Sequence, residues 1–168
     1  YPYASSLALH KPKFGFFVSE ADDFRRIADE LGMVRLSREG APLRYVRHPL
    51  VYLVEAADDI CYQVMDMEDA HKLKLGGTEE IRQLFLGFFG EEKRTHIAEV
   101  CRMVQDVNEQ VAYLRSSVIG VLVKECTRAF VEHEEELLAG TFKGSLIDHI
   151  SPEVHAAYEA CSRKAYAS

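Results

Sequence analysis

Close cysteine pairs are missing from this chain. Cys61, Cys101, Cys126 and Cys161 stand far apart, and no CxxC occurs. Each falls in a helical pattern, so reduced thiols in a cytoplasmic protein are expected, not a disulfide frame. No signal peptide is expected, and no apolar run in these residues is long enough to span a bilayer, so no membrane is expected as a partner. The phosphate-binding pattern GxxxxGK(S/T) is absent, which excludes a P-loop site as far as this chain goes. Positive charge is in short supply: 20 lysines and arginines stand against 27 aspartates and glutamates, a net charge of −7. A general nucleic-acid role is therefore not favoured. None of the seven histidines is followed by aspartate, and the chain does not begin with methionine. YPYASS reads like the middle of a loop, and a fragment is expected.

What is present points to helices. The length of 168 residues fits one domain or a piece of a larger one, and a hydrophobic share of 48% is enough for a core. Residues 1–18 read as loop. A short helix is predicted over about 20–31, with Ser19 as N-cap, acidic residues in its first turn and Gly32 behind it. VRLSREGAPLRYV turns at Glu39-Gly40 between two short β-prone arms, a candidate hairpin. Pro49 suits the first turn of the next helix, which runs to about Leu75 before Gly76-Gly77. Another helix follows from Thr78 to about Phe89, closed by Gly90. The stretch 91–139 is predicted to break near Asp106 to Asn108, with Gly140 as C-cap. Ser151 and Pro152 open a last helix. The fold class expected is all-α, with at most a small β-hairpin.

The stretch RHPLVYLVEAADDICYQVMDMEDAHK, residues 47–72, carries the sharpest chemical signal. It sets Asp58, Tyr62 and Asp66 at four-residue intervals inside a strongly apolar helical pattern. At about 100° per residue, each step of four returns close to the same face. Two carboxylates and a phenol then point one way from a helix whose other faces look buried. Buried carboxylates are costly unless they meet a metal, a cation or a hydrogen-bond donor. Asp59 lies about 100° around the helix, so it cannot share a narrow site with Asp58. A lone aspartate can give one ligand to a hard divalent ion but cannot hold it by itself. Spacing alone favours the plainer alternative, in which Asp58 or Asp59 caps or pairs with an arginine of a neighbouring helix.

RHPLVYLVEAADDICYQVMDMEDA closely resembles the metal-ligand helix of the bacterial deoxyguanosine triphosphate triphosphohydrolases, members of the HD-domain superfamily. YPYASS followed by KPKFGFFVSE resembles that family's upstream segment. LRSSVIGVLV and the later LLAGTF resemble its downstream helix and the end of it. The resemblance covers most of the chain. It implies the C-terminal portion of an HD-type helical bundle, with residues 1–75 completing the catalytic core and 76–168 forming a helical C-terminal region. It implies hydrolysis of dGTP, or other dNTPs, to deoxynucleoside and inorganic triphosphate, with Mg²⁺ or Mn²⁺ as the metal. Asp58 would ligate that metal, Tyr62 would pack against the deoxyribose, and Asp66 would accept a hydrogen bond from the 3′-hydroxyl. The family's His…His-Asp part and its catalytic histidine are absent here. The resemblance therefore implies that the N-terminal half is missing, that no catalytic residue lies in this stretch, and that the stretch alone is inactive. Exposed apolar surface is expected where the other half would pack.

Two cations complete the candidate site. Lys13 precedes Phe14-Gly15-Phe16, where Gly15 allows close backbone approach; the resemblance implies a contact with the triphosphate, and the plainer reading is a solvated loop lysine. Arg115 is the first charge on an apolar stretch and wants an anion. By resemblance that anion is nucleotide phosphate, and by residue chemistry alone an internal carboxylate is as good a partner. Arg35, Arg38, Arg44, Arg47 and His48 surround the candidate hairpin. They suit an oligomer interface, a regulatory nucleotide or single-stranded DNA, and a solvated surface is the usual explanation. His48 reads as a helix-start packing residue; His96, His133 and His155 look ordinary. A homo-oligomer is implied by family analogy. The alternatives to a dNTP triphosphohydrolase are another HD-superfamily nucleotide phosphohydrolase, and a non-catalytic nucleotide-binding regulatory or assembly module.

Overall fold

A computed structural model describes residues 15–73 and 77–166. Its α-helices are α1 (Ala21–Glu30), α2 (Pro49–Lys72), α3 (Thr78–Leu86), α4 (Glu91–Met103), α5 (Val107–Glu132), α6 (Glu134–Ala139) and α7 (Pro152–Tyr166). Single turns of 3₁₀ helix precede α1 at Val18–Glu20 and α7 at Ile147–His149. The all-α expectation is met. The candidate hairpin reduces to one antiparallel bridge, Arg35 to Tyr45, with Val46 N–H donating to the Val34 carbonyl at 2.9 Å. Its arms are too short to continue the ladder, and Pro42 has no N–H to give.

Local chemistry explains the starts of the two long helices. Pro49 opens α2, and the Nδ1 of His48 accepts from Leu50 N–H at 3.2 Å, so His48 is the cap residue. The break at residues 104–106 is set by Asp106, whose Oδ1 accepts from the N–H groups of Asn108 and Glu109 at 2.7 and 3.2 Å. A second break, not foreseen, falls at His133 between α5 and α6. Ser19 is no N-cap: it sits inside the 3₁₀ turn, where Phe17 N–H donates to the Glu20 carboxylate at 2.8 Å.

The two long helices make the frame. α5 packs along one face of α2, α7 packs against α2, and α3 wedges against α5 and α7. Ile60, Val64 and Met67 of α2, Ile81 and Phe85 of α3, Leu114, Val118 and Leu122 of α5, and Cys161 of α7 share one buried cluster. A second, small cluster of Ala28, Leu43 and Tyr45 holds α1 to the following loop, with Phe16 stacked on Phe24 at 4.1 Å. Two polar ties fix α7. Buried Gln63 donates to the Tyr158 carbonyl at 3.1 Å and accepts from Ser162 Oγ at 2.8 Å. The Glu125 carboxylate accepts from Ser151 N–H at 2.8 Å and pairs with Arg128 at 3.0 Å. No helix among the described residues is long and apolar enough to cross a membrane.

Candidate functional site

α2 has one face committed to the core and one face left open. Tyr52, Ala56, Ile60, Gln63, Val64 and Met67 are buried. Val54 is 70% exposed, Tyr62 62% and Met65 52%, and Asp58 lies exposed in the same file. Asp66 is half-buried. The row Asp58–Tyr62–Asp66 therefore looks outward, which corrects the picture of polar groups inside a buried helix. The apolar residues on both sides of the row made the helix look buried all round, but only one side meets α5 and α7. Asp58 is solvated here, so the burial cost that singled it out does not arise.

The described residues do not bring a full metal site together. No three or more His, Cys, Asp or Glu side chains among them are grouped to hold a metal ion. Asp58 offers an oxygen donor of the kind a hard divalent cation takes, and one donor is a small part of a coordination sphere of six or so. Asp59, turned away from Asp58 as the helical angle requires, lines an open cleft of about 360 Å³ with Asp148, His155, Tyr158 and Glu159. Lys13 lies outside the described residues.

Arg115 reaches α2 on a different flank. Its Nη1 donates to Glu68 Oε2, and Lys72 Nζ stands 2.9 Å from Glu68 Oε1. Glu68 is the one buried charged side chain among the described residues, 8% exposed. The Lys72 hydrogen bond first, then the Arg115 hydrogen bond and both charges, hold its carboxyl below the ordinary range against the opposing effect of burial. Glu68 and Asp66 are two residues apart, hence about 200° apart around α2. The structure thus gives Arg115 the internal carboxylate that residue chemistry allowed, and places that pair away from Asp66. Glu68 was not singled out from sequence. Its four-residue spacing to Lys72 was visible, but its pairing with Arg115 crosses 47 residues.

The basic cluster does not act as one patch. Arg47 pairs with Glu55 at 2.6 Å, both about one-fifth exposed, and lies over the Tyr52 ring at 4.2 Å. Arg35 donates to Ser37 Oγ at 3.2 Å, while Arg38 and Arg44 are exposed.

No protein-family model matches the chain. Curated proteins do. A deoxyguanosinetriphosphate triphosphohydrolase-like protein of Pseudomonas aeruginosa is 36% identical over 168 aligned positions, covering 98% of this chain and 35% of the relative. A protein of the same name from Synechocystis sp. is 34% identical over 152 positions, 84% of this chain and 31% of the relative. The chain is a homologue of the C-terminal part of the dGTP triphosphohydrolase family. A deoxyguanosinetriphosphate triphosphohydrolase of Yersinia enterocolitica is 27% identical over 165 positions, 90% of this chain and 30% of the relative. The chain spans about a third of the length of these dGTP triphosphohydrolase relatives. The alignments run through α2 and α5 alike, so the open face of α2 and the Arg115–Glu68 pair both lie inside the homologous stretch.

Proposed function

We propose that this chain is part of a metal-dependent dNTP triphosphohydrolase, with dGTP the first-choice substrate and deoxynucleoside and intact triphosphate the products. The observation that carries the reading is the file of Asp58, Tyr62 and Asp66 along the open face of α2, in a chain homologous to dGTP triphosphohydrolases. Outward-facing apolar and acidic groups on one long helix make a surface on which a ligand and further polypeptide can close.

Asp58 would hold Mg²⁺ or Mn²⁺, with the other ligands supplied from outside these residues. Bound there, the ion would polarise the α-phosphate and lower the pKa of an attacking water. Tyr62, one turn on, offers a ring against which a deoxyribose packs and a 2′-hydroxyl fits badly. Asp66, a further turn on, accepts a hydrogen bond from the 3′-hydroxyl. Lys13 and Arg115 offset phosphate charge. The 168-residue stretch alone is expected to bind metal weakly and not to turn over.

The test uses a polypeptide that carries this chain together with the His…His-Asp segment its resemblance calls for. Release of triphosphate from dGTP and from GTP is measured with Mg²⁺ or Mn²⁺. The expected result is turnover of dGTP well above GTP, with Asp58→Ala lowering kcat at least about a hundredfold, the scale of lost electrostatic stabilisation. Normal turnover by Asp58→Ala would refute the ligand assignment, and pyrophosphate as product would refute the reaction.

A further inference from the structure

Glu68 is the buried charge that the proposed reaction does not use. Its two oxygens serve different cations: Oε1 faces Lys72 Nζ at 2.9 Å, and Oε2 accepts from Arg115 Nη1 across the contact between α2 and α5. Lys72 comes from the next turn of the same helix, so it steadies Glu68 without calling on α5. Arg115 spends only its Nη1 on the carboxylate. Its Nε and Nη2 have no partner among the described residues, and its side chain is 31% exposed. A guanidinium edge with two parallel N–H groups matches the spacing of two phosphate oxygens. An arginine held by its far edge has already given up rotamer freedom that a ligand would otherwise have to remove.

We infer that Glu68 is a positioning residue for Arg115: it fixes the guanidinium through Nη1 so that the Nε–Nη2 edge is presented to the triphosphate, and Lys72 fixes Glu68 in turn. This rests on the reading of Arg115 as a triphosphate ligand. Glu68 and Asp66 lie on opposite flanks of α2, with Asp58 between them, so phosphate and sugar would be gripped from the two sides of Asp58.

The sign of a charge change tests it. The 168-residue chain is titrated with inorganic tripolyphosphate by calorimetry. Glu68→Gln removes one negative charge from the region, so Coulomb attraction by itself predicts tighter binding. Positioning predicts binding weaker by about tenfold, the scale of one charge-assisted hydrogen bond. Arg115→Gln should weaken binding at least as much, and adding Glu68→Gln to it should weaken binding no further. Thermal melts confirm that each variant is folded. If Glu68→Gln is not folded, Glu68→Asp replaces it, because it keeps the charge and draws the carboxylate back by one methylene; weaker binding is again expected. Unchanged or tighter binding by the folded Glu68 variant, or a Glu68→Gln weakening that persists in the Arg115→Gln background, overturns the inference. Failure of the dGTP assay with these binding differences intact strikes the catalytic reading and leaves the positioning of Arg115 standing.

Discussion

At Gly140 the backbone takes φ +70°, and a Cβ built there would lie 2.5 Å from Val46 Cγ1. The residue ends α6 in the left-handed conformation and lets the loop before α2 pass close by. Both demands fall on one hydrogen atom. Gly140→Ala is expected to destabilise by about 1–3 kcal/mol from backbone strain, with any displacement of Val46 adding to it. A urea unfolding midpoint equal to the parent's would show that neither demand matters. The C-cap role was legible in the sequence from the pattern of glycine after a helix. The pressure from Val46 was not, because it comes from 94 residues away. The same split governs the candidate site. Asp58, Tyr62 and Asp66 were found by their spacing, a local property, whereas Glu68 gains its meaning only from Arg115 on another helix.

At the scale of the element, α2 shows how one helix serves two masters. Its core face is apolar except for Gln63, and that amide is fully engaged with α7. Gln63→Leu would keep the volume but leave the Ser162 hydroxyl without its acceptor and the Tyr158 carbonyl without this donor. A loss of about 1–3 kcal/mol is expected. Combining it with Ser162→Ala should restore part of that loss, because the orphaned hydroxyl is then gone. A fully additive double mutant, measured by chemical denaturation, would mean the contact contributes nothing. Period and spacing located α2 to within a few residues of its ends, since Pro49 and His48 act locally at its start. Which of its faces would be covered could not be read. Apolar residues stand on both, and only the positions of α5 and α7 distinguish them.

At the scale of the molecule, buried and half-buried carboxylates tie helices together and make stability depend on pH. Glu125 is held below the ordinary carboxylate range chiefly by the Ser151 N–H, and Glu68 chiefly by Lys72. A carboxyl whose folded pKa is depressed contributes stability above its unfolded value, here about 4.5, and loses that contribution as pH falls through the folded value. Unfolding midpoints should therefore be flat for these two groups from pH 7 to about 5 and fall below about 4.5. The double variant Glu125→Gln with Glu68→Gln should start lower at pH 7 and show a shallower acid limb. An acid limb as steep as the parent's would remove these two groups as its cause.

The sequence by itself determined most of the helices, a few of their ends, the file of polar groups on α2 and the kinship with dGTP triphosphohydrolases. These depend on residues a few positions apart, or on a pattern preserved along the chain. Only the tertiary structure decided that the file faces outward, that Arg115 meets Glu68, and that the arginines of the loop before α2 divide into one half-buried pair and several exposed side chains. The physical reason is the same in each case. Periodicity states which residues share a face, but burial and pairing depend on what arrives from elsewhere in the chain to cover it.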